Sequence, residues 1–453
     1  MSSKRSSFTG KIGFVLAAAG SAVGLGNIWR FPYLAAKYGG GVFLLVYVIL
    51  SITFGFSLMA AEIAIGRKTG KSAIEAFGAL DKRFSSVGIL AAFIPMIILP
   101  YYSVIGGWVA KYFSGFAFGA GKSMAADGYF EGYIGKTTEP IIWFLIFIGA
   151  TAVIVLFGVE KGIEKFSKLL MPLLIVLTLF IALYTIFSMD GAVEGVKYYL
   201  LPDFSSFSIM TVVAAMGQLF YSMSLAMGIM ITFGSYTKKE ISIEKSVKQI
   251  ELFDIGVAFL SGLMIIPAVF AFSGGDEAAL GKGPSLMFIT LPKVFDTMPG
   301  GGVVGAIFFF MVLLAALTSS ISLMETVVSV FMDKFRLGRK TACLAVLGLS
   351  LVLGLPSSLG YSAWGSVKIL GMQILDFFDF VSNSLMMPIL AFITCLFVGF
   401  FIRPKSAITD EIKINGKFRF KEMYNIVIRF VAPVCILAIL ISSVLDVFGV
   451  VKI

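Results

Sequence analysis

Gly20-Ser21-Ala22-Val23-Gly24-Leu25-Gly26-Asn27 interrupts an apolar run that starts at Ile12 and resumes at Ile28. The flanks, 12–19 and 28–36, read as two halves of one membrane helix. Between them stand Gly20, Gly24 and Gly26, each costing roughly 1 kcal/mol against alanine in a helix. Lipid offers no partner to a bare N–H or C=O. Irregular backbone at membrane depth therefore persists only where protein buries it or where it lines a cavity. A helix broken there frees carbonyls for a cation and amides for an anion. The break reads as a binding site.

The rest of the chain sets that break inside a membrane. The 453 residues are 58% hydrophobic with a mean hydropathy of +0.97, and only 14% are charged, against about 25% in soluble domains. Apolar runs of about 20 residues indicate helical spans, not the short alternating strands of a barrel. The net charge of +10 comes from basic inter-helix loops, so nucleic acid is not an expected partner. There is no His, which removes the commonest metal ligand and proton relay. Cys343, Cys395 and Cys435 lie far apart in apolar segments, so neither a disulfide framework nor a CxxC site is indicated. The first apolar run lacks a small-residue cleavage pattern and reads as a mature span, not a signal peptide.

Eleven spans are predicted, at 11–36, 41–66, 88–118, 141–157, 166–189, 209–235, 246–274, 303–333, 341–356, 367–402 and 423–450. With the N-terminus inside, the inner segments hold 25 of the 36 Lys and Arg residues and the outer ones about eight. The positive-inside rule then places the N-terminus in the cytoplasm and, the count being odd, the C-terminus outside. Residues 119–140 form a polar, Gly-rich outer loop. The stretch 275–300, with turn residues around Leu286 to Leu291, reads as a hairpin-like outer lid of short helices.

A second anomaly mirrors the first. The sixth span contains Gly217-Gln218-Leu219-Phe220-Tyr221-Ser222-Met223-Ser224-Leu225-Ala226-Met227-Gly228, small polar residues and glycines amid bulky ones. Broken helices five spans apart are the signature of inverted repeats around a midplane site. The expected architecture is an all-α integral membrane protein with eleven transmembrane helices in a 5+5 inverted repeat, helices one and six unwound, plus one extra C-terminal helix. The parts are a cytoplasmic segment 1–10, repeats at 11–189 and 190–402, a cytoplasmic loop 403–422, and a last span with an extracellular end at 423–453.

The run Gly13 to Pro32 resembles the first helix of the neurotransmitter:sodium symporters. The likeness continues through Gly39-Gly40-Gly41, Glu62 with Gly66-Arg67, Tyr101-Tyr102, Lys161-Gly162-Ile163-Glu164-Lys165-Phe166, Gly217-Gln218, Phe288-Ile289-Thr290-Leu291-Pro292 and Leu317-Thr318-Ser319-Ser320. It covers nearly the whole chain and is closest to the bacterial branch that carries hydrophobic and aromatic amino acids.

That resemblance implies two sodium sites and no organic cofactor. One site would take the carbonyls of Gly20, Val23 and Ala315 with the hydroxyls of Thr318 and Ser319. Ala315 and Ser319 are four apart and share a helix face. The other would take the Ala22 carbonyl, Asn27, Ser222 and Asp254, with the substrate carboxylate completing the shell. Many relatives have Asn at the seventh-span position, and the animal members bind chloride nearby. An acid inside a membrane is a functional candidate by default, so Asp254 reads either as an ion ligand or as fixed charge in place of chloride.

The substrate carboxylate would meet the amides of Leu25 and Gly26 at the start of the second half-helix, where the dipole is positive, and the Tyr102 hydroxyl. Its ammonium would meet the carbonyls of Ala22, Tyr221 and Ser222, with the Ser224 hydroxyl as a further partner. Ile98, Tyr102, Tyr221, Ser224, Met227, Ser319 and Leu323 would line the side-chain pocket. Met227 stands where some relatives have Phe, and Ala226 where they have Gly. A pliable thioether suits large hydrophobic or aromatic side chains.

The same likeness implies gates. Arg30 and Asp379 would form an outer latch with Tyr221 as lid, and Arg5 and Asp333 an inner one assisted by Tyr236, with Phe8 in place of a Trp. Gly162 and Pro172 would let the inner end of helix five unwind and release sodium. The function so implied is chloride-independent, sodium-coupled import of hydrophobic or aromatic L-amino acids by a monomer or weak dimer in the inner membrane. A non-transporting amino-acid sensor or channel-like protein on this fold is the alternative. A membrane enzyme is disfavoured, since no nucleophile–base pair or metal cluster stands at membrane depth.

Overall fold

The computed structural model describes residues 7–274 and 285–447, and within them the chain is helical throughout. Nine of the described helices are long and apolar enough to cross a membrane. Spans two to five run Gly41–Thr69, Lys82–Ala117, Thr138–Leu156 and Val159–Ser188; spans seven to nine run Ile243–Ser273, Gly301–Phe335 and Arg339–Leu359; the last two run Ile374–Phe401 and Lys421–Leu445. A tenth crossing is the pair Lys11–Ala22 and Gly26–Lys37, bent by 54° at the glycine-rich break. Ile209–Ser222 is shorter, and after a non-helical turn the chain resumes as Ile229–Ser235.

Burial follows the demands of lipid. Apolar side chains such as Ile12, Leu169 and Phe187 face outward, whereas Asn27, Glu62 and Asp254 are all buried. Span eight lies along span three, and the second half of span six lies against span two. Both broken helices are thus held inside a shell of continuous ones. The buried Arg67 donates to Glu411 at 2.8 Å and to the Ile241 carbonyl at 2.6 Å. That ties span two to helix Ala407–Lys413 of the loop 403–422.

Two sequence expectations shift, and a third is only partly within the described residues. The tenth span begins at Ile374, not at 367. The preceding apolar residues form a turn instead, with Leu370 and Gly371 at φ 53° and 79° and an Ile369–Met372 bridge. The outer loop 119–140 contains two short helices, Gly121–Ala125 and Tyr129–Ile134. Of the stretch 275–300, residues 275–284 lie outside the described residues. The remainder winds as a π-turn Leu286–Thr290 running into a helix Leu291–Thr297.

Candidate functional site

The break in span one opens where Val23 turns to extended backbone (φ −76°, ψ 103°) and closes at a π-helical turn, Gly26–Arg30. Its glycines are explained by close approach. A Cβ on Gly24 would stand 2.7 Å from Ser319 Oγ, and one on Gly26 would stand 2.3 Å from the Tyr221 ring. The break in span six works differently: Ser224, Ala226 and Gly228 sit at φ 52°, 55° and 72°. Left-handed backbone is costly for a residue with a Cβ, and here it is held by neighbours. Ser224 Oγ donates to the Ser21 carbonyl at 2.9 Å, and the Ala226 N–H donates to Glu62 Oε1 at 2.8 Å. Gln218 Nε2 donates to the Gly26 carbonyl at 2.9 Å, joining the two broken helices directly.

Between the breaks is a small cavity. Of the residues expected at the substrate, Ala22, Leu25, Gly26, Ile98 and Tyr102 line it, as do Tyr221, Ser224, Met227, Ser319 and Leu323. Ser21, Gly24 and Ile229 line it too, and no residue-type signal set them apart. Ser222 stands behind the wall, its hydroxyl 2.9 Å from the Tyr47 hydroxyl. The Tyr102 hydroxyl is buried in the wall beside the Ser319 hydroxyl and the Leu25 amide, without a well-formed hydrogen bond to either.

Two clusters of oxygen flank the cavity. On one side Ser319 Oγ lies 3.4, 3.2 and 3.4 Å from the carbonyls of Gly20, Ser21 and Val23. Thr318 Oγ1 lies 3.0 Å from the Ala315 carbonyl. A Cβ on Gly20 would stand 3.2 Å from the Thr318 Cβ, so spans one and eight meet here. On the other side Asp254 receives Asn27 Nδ2 at 2.8 Å on Oδ1 and the Tyr47 hydroxyl at 2.7 Å on Oδ2, with Ser222 Oγ 3.4 Å from Oδ2. Asp254 is fully buried, and among the described residues no cation pairs with it. The nearby Lys248 pairs with Glu244 instead. Tyr47 reaches this cluster from span two across 207 positions of sequence. A lone tyrosine in an apolar span carries no local signal of that.

Of the expected gates, only part falls among the described residues. Arg30 and Asp379 form no ion pair among the described residues. The Arg30 guanidinium lies 5.2 Å over the Tyr221 ring, and Asp379 Oδ1 accepts Asn383 Nδ2 at 2.6 Å. The two charges are therefore not in direct contact in this structure. Of the expected inner pair, Arg5 lies outside the described residues. Asp333 accepts the Ser72 N–H at 2.8 Å. Tyr236 donates to Glu325 at 2.8 Å, and Glu325 pairs with Arg339. Tyr236 therefore serves a Glu325–Arg339 pair that the motifs did not single out. Phe8 is fully buried against Phe14, Phe233 and Tyr236. The Phe for Trp exchange leaves a packed contact. Gly162 falls in a π-helical turn, Val159–Glu164, and Pro172 inside the helix that follows, so span five is wound here from end to end.

Comparison with known proteins follows the same line. The sodium:neurotransmitter symporter family model matches residues 5–120 and 132–450. An uncharacterized sodium-dependent transporter of Bacillus subtilis, YhdH, is 35% identical over 96% of both chains. The human sodium- and chloride-dependent GABA transporter 2 is 26% identical, over 84% of this chain and 70% of its own. Among solved structures, MhsT in complex with L-phenylalanine superposes with a TM-score of 0.87 at 37% identity, covering 97% of this chain and 100% of MhsT.

Proposed function

The chain belongs to the sodium:neurotransmitter symporter family, and we propose that it imports hydrophobic or aromatic L-amino acids together with sodium by alternating access. As a family member it is a multi-pass, sodium-dependent transporter and not an enzyme. One observation carries the finer reading: the Tyr102 hydroxyl is buried in the cavity wall beside the Ser319 hydroxyl and the Leu25 amide, with no well-formed hydrogen bond for its own proton. A buried donor without an acceptor costs about 1–3 kcal/mol, a penalty that a bound acceptor removes. Beside it, span one restarts at Leu25 and Gly26, where a helix presents its first amides with no partner of their own. A carboxylate suits both.

The proposed ligands of that substrate follow from the same wall. Its ammonium meets carbonyls of the two breaks, at Ala22, Tyr221 and Ser222. Its side chain lies among Ile98, Met227 and Leu323, which favours a large apolar group. That MhsT binds L-phenylalanine on the same fold supports the choice. Two sodium ions occupy the flanking clusters, one at Gly20, Val23, Ala315, Thr318 and Ser319, the other at Ala22, Asn27, Ser222 and Asp254. Asp254 supplies the negative charge that relatives obtain from chloride, so transport is chloride-independent. Counting the interrupted helix Ile209–Ser222 with Ile229–Ser235 as one crossing gives eleven spans; with the basic loops in the cytoplasm, the N-terminus then lies inside and the C-terminus outside.

Purified protein in proteoliposomes with an inward sodium gradient should accumulate leucine, phenylalanine or tryptophan, and replacing sodium by potassium should abolish this. Accumulation that ignores the swap overturns the symport reading and favours the channel-like alternative. In the same assay Asp254→Ser should cut uptake by about 30-fold or more, with recovery on adding chloride. Equal activity of that variant with and without chloride would count against charge replacement.

A further inference from the structure

The last two spans and the loop helix Ala407–Lys413 enclose a second small cavity, apart from the one between the breaks. Its polar lining is Lys405, Thr409, Tyr424, Asn425 and Arg429, and no carboxylate borders it. Arg429 lies inside the span Lys421–Leu445, in the π-helical turn Val427–Val431, and is half-buried. Gly399 on the neighbouring span makes room for it: a Cβ there would stand 3.1 Å from Arg429 Cγ. Among the described residues neither Arg429 nor Lys405 has an ion pair. Acids of the loop helix are engaged elsewhere, Glu411 with Arg67 at 2.8 Å and Asp410 with Lys413 at 3.9 Å. Tyr424 is 2% exposed, and its hydroxyl has no hydrogen-bond partner among the described residues.

We propose that this cavity binds the phosphodiester of an anionic phospholipid, with Lys405 and Arg429 on its oxygens and the Tyr424 hydroxyl donating to it. An unpaired guanidinium inside a span is costly, and so is a buried hydroxyl without an acceptor. One oxyanion relieves both, and a guanidinium can hold a phosphate through two parallel hydrogen bonds. Two cations with no carboxylate beside them leave nothing to receive an ammonium, so a net negative headgroup fits better than a zwitterionic one. Basic pockets between membrane helices suit such headgroups. The apolar half of the ligand has its place too. Phe400, Ile426 and Phe430, the sequence neighbours of Gly399, Asn425 and Arg429, are exposed, and the two rings meet at 6.5 Å between centroids. Acyl chains would lie along them. Bound there, the lipid holds the loop 403–422 against the last span, whichever amino acid is carried.

Native mass spectrometry of the full-length protein, stripped of co-purified lipid in detergent, tests this. The probes are phosphatidylglycerol, phosphatidylethanolamine and inorganic phosphate. Phosphatidylglycerol should bind at about tenfold lower concentration than phosphatidylethanolamine, and millimolar phosphate should not displace it. Arg429→Gln should weaken that binding about tenfold, Lys405→Gln about fivefold and Tyr424→Phe about threefold. Lys417→Gln, at an exposed position of the same loop that does not line the cavity, should leave it unchanged. Lys405 is exposed and Tyr424→Phe removes only a hydroxyl, so these two variants decide the matter if Arg429→Gln misfolds. Equal retention of the two lipids, or full displacement by phosphate alone, overturns the proposal. So does unchanged binding in the lining variants, or a loss in Lys417→Gln as large as theirs.

Discussion

The two broken helices face each other across one cavity, yet they are broken by different means. Span one has the glycines, and none of its residues from Gly20 to Asn27 takes a left-handed conformation. Its glycines are clearances, where Ser319 and Tyr221 press against bare backbone. Span six has the left-handed residues, and two of the three, Ser224 and Ala226, carry side chains. There the backbone itself is bent and is held by Ser21 and Glu62. A glycine count finds the first break and undervalues the second. In the first, glycine is selected for what it lacks; in the second, conformation is imposed from outside.

Substitutions separate the two mechanisms. The largest effect is expected from Gly26→Ala, which drives a methyl into the Tyr221 ring. Overpacking of about 2–3 kcal/mol at the cavity wall should weaken sodium-dependent amino-acid binding by roughly 30–150-fold, measured by scintillation proximity. Wild-type affinity in that variant would mean that clearance is not what this glycine provides. Next is Gly228→Ala, left-handed and crowded by Ala73 and Ala91. It should cost about 2 kcal/mol of stability, seen as a lowered melting temperature in detergent. The smallest effect is expected from Ala226→Gly. Relief of left-handed strain and the added freedom of the unfolded chain nearly cancel, leaving a gain of at most about 1 kcal/mol. A clear loss of stability there would show that the Ala226 methyl contributes packing and that strain is not its main cost.

Much of this was legible in the sequence, and the limits have physical causes. Span positions follow from apolar runs, because lipid demands them. The failure at the tenth span is instructive. Val367, Ile369 and Leu370 look like a helix start, but they sit in a turn and are partly exposed, which apolarity alone does not reveal. Cavity residues such as Tyr102 and Met227 were reachable through motifs attached to the breaks. Tyr47, Glu325 with Arg339, and Arg67 with Glu411 were not. Each is a pairing of ordinary residues whose meaning lies in a partner, and for Arg67 that partner is 344 positions away. Arg30 and Asp379 were named by motif, but that Arg30 lies over the Tyr221 ring and that Asp379 accepts Asn383 depend on packing that the motif does not contain.

The Ser319 hydroxyl belongs at once to the wall of the cavity between the breaks and to the cluster of Gly20, Ser21 and Val23 carbonyls. With sodium in the proposed place, the cation and the amino acid would share an atom. Occupancy of one would then alter the free energy of the other, and thermodynamic reciprocity fixes the sizes. Whatever factor sodium adds to the substrate's affinity, the substrate must return to sodium's. Two binding isotherms, each titrated with and without the other ligand, would have to yield the same number.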